Sequence, residues 1–200
     1  MPRRRSVGCP VAYLEGPMPT LKPVDPKTAN GKTKSAIEAT QKAFGLVPNI
    51  VKIMANSPAV VQGWLDFNAA LSETAISAKL RELIAVAVAE ANRCEYCLSA
   101  HTAIGKMVGL DDNELLAARQ FKSRDPKIDA ALQFAHDIVV RRGELGAADV
   151  ERVRQAGYGD GEIVEIIAVV CLTIFTNYFN HIAKTEVDFP RVEAGLKQSA

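Results

Sequence analysis

Two stretches of this chain, residues 83–89 (LIAVAVA) and 166–172 (IIAVVCL), are apolar at every position and lie within helix-forming sequence. In a chain that folds in water, a helix apolar on all sides is expected to be buried on all sides. The rest of the chain must then pack around two central helices. Any charge inside or beside them needs a partner. As an uninterrupted run, neither approaches the ~20 apolar residues of a membrane span. The longer one, 166–175, is broken by Thr173.

The remaining sequence is helical in period from about Ser35 onward, with no alternating strand pattern. A helix is expected over about 59–72, between Pro58 and the Ser77 that caps the next helix. The latter carries Leu80, Leu83, Ile84, Ala87, Val88 and Ala91 at i, i+3, i+4, i+7 spacing. Further helices are expected over 94–108, closed by Gly109; from Asp111, with Glu114 completing a capping box; from Asp125-Pro126 to about Arg142; over 147–156; and from Asp160 to roughly His181 or Lys184. The fold class is all-α.

Six of the ten prolines fall in the first 26 residues, so residues 1–34 are read as an extended arm. The helical domain is read over 35–190, followed by a tail, 191–200. Arg3-Arg4-Arg5 is not followed by the apolar stretch of an export signal, and the expectation is a cytoplasmic protein. The formal charge of +1, from 24 basic and 23 acidic residues, is too balanced for a protein that grips nucleic acid phosphates. No membrane partner and no bound nucleotide are indicated. Four cysteines in 200 residues do not make a disulfide scaffold, so they need a chemical explanation.

The explanation lies in Cys94-Glu95-Tyr96-Cys97-Leu98-Ser99-Ala100-His101. On a helix, positions 94, 97 and 101 share one stripe, and cysteines at i and i+3 have Cα atoms about 5 Å apart, within disulfide range. His101 stands one turn beyond Cys97 and can take a thiol proton. Cys94, at the helix start, is also placed to ionise. Two such thiols and a base suit peroxide reduction or disulfide exchange. A zinc site, with His101 and a remote His136 or His181, and simple core packing are the competing readings. Spacing admits either Glu82 or Glu90 as the acid of a relay. Cys171, inside the second apolar helix, is expected to be a buried, inert thiol. Cys9 is read as incidental, and Trp64, Phe67 and Leu71 as core or subunit interface.

A shift of 83 residues brings Glu82-Leu83-Ile84-Ala85 onto Glu165-Ile166-Ile167-Ala168, and Cys94 and Cys97 onto Asn177 and Asn180. This reads as a duplicated helical unit: an active first half over about 44–120 and a degenerate second half over about 125–185. The second copy has no need of a break near Arg93. Asn177 and Asn180 are expected to satisfy buried polar groups, bordering the Cys97 pocket. His181, one turn after Asn177, is read as its local hydrogen-bond partner or as a pocket residue.

The run from Arg81-Glu82-Leu83-Ile84 through His101 resembles the alkylhydroperoxidase D (AhpD) core of the carboxymuconolactone decarboxylase superfamily. Asn177-Tyr178-Phe179-Asn180 with Thr185-Glu186-Val187-Asp188-Phe189-Pro190 looks like its peroxidase-related branch. The resemblance spans roughly residues 44–190. It implies an AhpD-like helical fold, a homo-oligomer, and reduction of organic hydroperoxides at the expense of an external dithiol such as a dihydrolipoyl group, with no bound cofactor and no metal. It casts Cys97 as the attacking thiolate, Cys94 as the resolving thiol, His101 as the base and Glu82 as the relay acid. Tyr96 departs from the best-known family member, which has histidine between the cysteines; a tyrosine does not shuttle protons near neutral pH. The alternative within the superfamily is decarboxylase or lactone chemistry with His101 and Glu82 as acid and base. Outside enzymology, the alternative is a redox-sensing or zinc-binding helical assembly.

Overall fold

The computed structural model describes residues 19–196, and among them are nine helices and no strands. In chain order these are α1 (Gly31–Phe44), α2 (Asn49–Met54), α3 (Pro58–Ser72), α4 (Ala78–Ala91), α5 (Glu95–Met107), α6 (Asp112–Ala118), α7 (Pro126–Val140), α8 (Ala147–Gln155) and α9 (Asp160–Ala183). The expected caps hold several of them in place. Ser77 Oγ accepts from the Leu80 N–H, Asp111 and Glu114 form a reciprocal capping box, and Asp125 caps α7 with Pro126 at its first position. Helix α1 begins at Gly31, four residues before the expected onset, and the short α2 was not anticipated from the sequence. Cys9 and the arginines at 3–5 lie outside the described residues.

Helix α4 is the centre. Leu83 through Glu90 are all buried, and α4 packs on α5, α6, α7 and α9. Burying a Leu, Ile or Val side chain contributes roughly 1.5–3 kcal/mol, so this helix anchors the core. Glu165, on α9, ties the two central helices together at one end. Its carboxylate accepts from the backbone N–H groups of Ala75 and Ile76, both at 3.0 Å, just ahead of α4.

Helix α9 corrects the expectation of burial on every side. Ile166, Val169, Val170 and Thr173 are buried, but Val164, Ile167, Phe175, Tyr178 and Ile182 are exposed. Cys171 lies on that exposed face as a free thiol, so it is not the buried residue the apolar run suggested. The run had no polar period from which to read a solvent-facing side. Counted as a helix rather than as an uninterrupted run, α9 is also long and apolar enough to cross a membrane. In this structure its inner face lies against α3, α4, α5, α7 and α8.

After α9, residues 184–196 run back across α4 and α5 as a strap. The buried Glu90 carboxylate receives the Gly195 and Leu196 N–H groups at 2.7 and 2.8 Å and the Arg119 Nε at 2.8 Å. The Val192 N–H donates to Ser99 Oγ at 2.9 Å, and Arg191 pairs with Glu95.

Candidate active site

The junction of α4 and α5 sets the cysteines. Helix α4 ends in a Schellman turn: the Cys94 N–H reaches the Ala89 carbonyl and the Arg93 N–H reaches that of Glu90, each at 2.9 Å. Arg93 takes the left-handed conformation at φ 54°, a position that usually favours glycine. Cys94 thereby closes α4 and caps α5, its sulfur accepting from the Cys97 N–H at 3.4 Å. Cys97 lies in the first turn of α5, and both thiols are buried and unpaired by a disulfide. The Cys94 thiol donates to Cys97 Sγ at 2.8 Å.

One turn further on, His101 Nδ1 meets Glu82 Oε2 at 2.8 Å, joining α5 to α4. Close approach of the helices is permitted by Gly105, where an added Cβ would meet Leu115 Cδ2 at 2.9 Å and lie 3.9 Å from Glu82 Cβ. No hydrogen bond joins His101 directly to Cys97. The link between them is electrostatic, and it acts in both directions. Of the two candidate carboxylates, Glu82 is the one beside the imidazole. Glu90 is engaged by Arg119 and the C-terminal strap.

Helix α9 brings in the other side of the site. Asn180 Nδ2 donates to Cys97 Sγ at 3.2 Å, and Thr176 Oγ1 stands 3.9 Å from the same sulfur, its own hydrogen given to the Thr173 carbonyl. Asn177 is fully buried, and its Oδ1 accepts from Asn92 Nδ2 at 2.9 Å. His181 does not pair with Asn177, whose Oδ1 is taken by Asn92 Nδ2; its Nε2 meets the Asn92 carbonyl at 2.7 Å. Asn92 and Thr176 were not singled out from the sequence. Their contacts bridge 85 and 79 residues of chain, and no local pattern marks them.

Tyr96 faces away from the thiols. Its hydroxyl accepts from the Ile50 N–H at 3.3 Å, and its ring meets Phe189 of the strap edge-on at 5.8 Å. Burial pushes its hydroxyl pKa further up, so it stays protonated. Tyr96 is therefore a packing residue between α2 and the strap.

The two thiols are driven in opposite directions. Burial pushes Cys97 up, but the Cys94 hydrogen bond, the His101 charge and the Asn180 and Asn177 amides outweigh it and bring Cys97 down to about 6. Cys94 is pushed far up, by its bond to Cys97 and by burial. Burial also opposes protonation of His101, yet the Glu82 carboxylate and the Cys97 charge raise it above its ordinary value. The arrangement can hold an imidazolium and a thiolate side by side, with a second thiol in contact. A cavity of about 210 Å³ between α7 and α8, lined by Gln133, Phe134, Asp149 and Val153 among others, includes neither cysteine and has no part in this chemistry. Among the described residues, no group of three or more His, Cys, Asp or Glu could share a metal ion. His136 packs edge-on against Phe121.

Residues 58–137, which hold Glu82, Cys94, Cys97 and His101, match the Carboxymuconolactone decarboxylase family. The fold is that of an AhpD core. A peroxidase-related protein from Ralstonia eutropha JMP134 with that core superposes with a TM-score of 0.74 at 24% identity, covering 87% of this chain and 94% of its own. A second peroxidase-related protein, from Silicibacter sp. TM1040, gives 0.72 at 26% identity over 85% and 95%. The debrominase Bmp8, solved with 2,3,4-tribromopyrrole, gives 0.71 at 20% identity over 84% and 91%. No curated protein matches the chain. Residues 58–137 thus resemble the carboxymuconolactone decarboxylase family, and the fold is AhpD-like and all-helical.

Proposed function

We propose that this protein is a thiol-dependent peroxidase that reduces organic hydroperoxides. The observation that carries the reading is geometric: two buried thiols with sulfurs 2.8 Å apart, an Asn180 amide on Cys97 alone at 3.2 Å, and a His101–Glu82 pair one turn further along α5, an arrangement that favours ionisation of Cys97 over Cys94. The Cys97 thiolate attacks the outer oxygen of ROOH. The O–O bond breaks, Cys97 becomes a sulfenic acid, and the alkoxide leaves as ROH with a proton from the imidazolium of His101. Cys94 then gives up its proton and attacks the Cys97 sulfur, expelling water and closing a disulfide. An external dithiol, of the dihydrolipoyl kind, returns both thiols and is itself oxidised to a disulfide. Glu82 keeps His101 charged and oriented between turnovers.

The reading includes a single duplicated helical domain over 35–190, with its chemistry in the first half, and a cytoplasmic homo-oligomer. The His101–Glu82 pair favours one further reading, in which it serves as acid and base in decarboxylase or lactone chemistry. The debrominase among the structural relatives makes a brominated pyrrole worth including as a substrate. A thiol count before and after one equivalent of cumene hydroperoxide, with metal analysis of the same sample, tests the main reading. Two thiols lost without bound metal support it. Unchanged thiols, or stoichiometric zinc on the cysteines, overturn it.

A further inference from the structure

Cys97 faces amide donors from α9, beside one long-range acceptor for a neutral thiol, Thr176 Oγ1 at 3.9 Å, and the unpartnered Asn180 Oδ1. Asn180 Nδ2 already points at the sulfur from 3.2 Å. One turn earlier on α9, Asn177 is fully buried, and its Nδ2 has no partner although its Oδ1 is held by Asn92. A thiol sulfur is a weak acceptor, whereas a thiolate takes several strong, charge-assisted bonds. Buried donors without an acceptor are costly, so a pocket built this way favours the ionised sulfur. Cys94 has no amide at hydrogen-bond distance; its sulfur accepts only the Cys97 backbone N–H at 3.4 Å, and Asn180 is the smallest of the influences on its acidity.

We propose that Asn180 and Asn177 form an anion cradle contributed by the second half of the chain, which holds Cys97 as a thiolate and so selects it over Cys94 as the attacking sulfur. Asn180 touches the reacting atom, while Asn177, fixed by Asn92, is a positioning residue. The two amides also contribute to the acidity of Cys97 beside the larger effects of Cys94 and His101. The cradle rests on the peroxidase reading only for the electrophile that Cys97 meets.

Site-resolved alkylation by iodoacetamide from pH 5 to 9, in the full chain carrying Cys94→Ser, tests the cradle without any peroxide. At pH 5, Asn180→Leu is expected to slow Cys97 alkylation about tenfold, the loss of one hydrogen bond to a charged group. Asn180→Asp, which keeps the volume and replaces the donor with a carboxylate, is expected to slow it further. Asn177→Leu should give a smaller effect of the same sign. A folded Asn180 variant whose titration midpoint is unmoved, or moves down, overturns the proposal. Should the variants fail to fold, the side-chain amide resonances of Asn180 in the Cys94→Ser protein give the answer. They are expected to shift as Cys97 ionises, and flat resonances across that titration overturn the cradle. A protein that ignores cumene hydroperoxide while its Cys97 midpoint depends on Asn180 retires the peroxidase reading and keeps the cradle. An active peroxidase whose midpoint ignores Asn180 does the opposite.

Discussion

Asn180 and Cys97 are 83 residues apart in the chain and share a hydrogen bond of 3.2 Å. The same interval aligns the two apolar stretches in sequence, and this one pair of positions related by it meets at the site. Asn177 and Asn180 are both buried there. Helix α9 also runs unbroken through the level at which the first half turns at Arg93. The second half closes the far side of a site whose thiols, base and acid all come from the first.

The division of labour between the thiols follows from their opposed ionisation. Cys97→Ser is expected to abolish peroxide turnover and leave no sulfenic acid. Cys94→Ser should consume one equivalent of peroxide and then stop, with a sulfenic acid that dimedone can trap. If Cys94→Ser does not react at all, the nucleophile is the helix-capping thiol, as its position at the start of α5 would also allow.

The pH dependence has a definite sign. With Cys97 at about 6, its alkylation rate should rise through that pH and level off well below the range in which an ordinary thiol is still gaining reactivity. His101 stabilises the thiolate only while it is protonated, and Glu82 favours that state. His101→Gln and Glu82→Gln should therefore both move the midpoint upward, the first more than the second. A folded Cys97 is lowered relative to the unfolded chain, so its contribution to stability is complete above the unfolded value of 9.0 and is lost as pH falls through about 6. Urea unfolding of the parent and of Cys97→Ser at pH 6 and 8 should accordingly differ more at pH 8. Equal differences at both values would contradict a native thiolate.

Much of this was legible because it is local. The caps at Ser77, Asp111 and Asp125 and the stripe of 94, 97 and 101 are written within a few residues of where they act. The choice between Glu82 and Glu90 was not, because spacing counts turns without saying which neighbour each face will meet. The two are eight residues apart, about 80° around the helix at 3.6 residues per turn. That angle separates a face on α5 and His101 from one on Arg119 and the strap. The exposure of Cys171 is hidden for a related reason: a helix apolar on every side carries no period from which to read its exposed face. Asn92 and Glu165 act on partners far along the chain and have no local signature.

The strap should depend on Glu90 and very little on Arg191. Arg119→Ala would leave a buried carboxylate with two backbone donors and no cation, a loss of about 3 kcal/mol for a broken buried pair. Arg191 is largely solvent-accessible and Glu95 half-buried, so Arg191→Ala should cost below about 1 kcal/mol. Hydrogen exchange at residues 192–196 should accelerate in Arg119→Ala and stay near the parent value in Arg191→Ala. Equal acceleration in both would mean that the strap is held by its apolar contacts, such as Phe189 on Tyr96, rather than by Glu90.

Assembly is the last outcome that the fold makes testable. Val164, Ile167, Cys171, Phe175, Tyr178 and Ile182 recur at helical spacing along the exposed side of α9. From 164 to 182 the stripe runs about 27 Å at 1.5 Å per residue. It carries no charge, and a contiguous apolar surface of that length normally marks a contact with another molecule. A second copy satisfies it most simply, since a two-fold axis near the middle of the stripe lays each α9 against its equivalent and brings the two Cys171 residues close together. This moves the expected interface from Trp64, Phe67 and Leu71 on α3 to α9. Light scattering at micromolar concentration should give at least a dimer. Ile167→Lys with Ile182→Lys, both at exposed positions, should give a monomer of unchanged helicity. Mild oxidation should cross-link the parent through Cys171 and leave Cys171→Ser uncross-linked. A monomeric parent would mean that the α9 face meets some other apolar surface, and the expectation of self-association would be withdrawn.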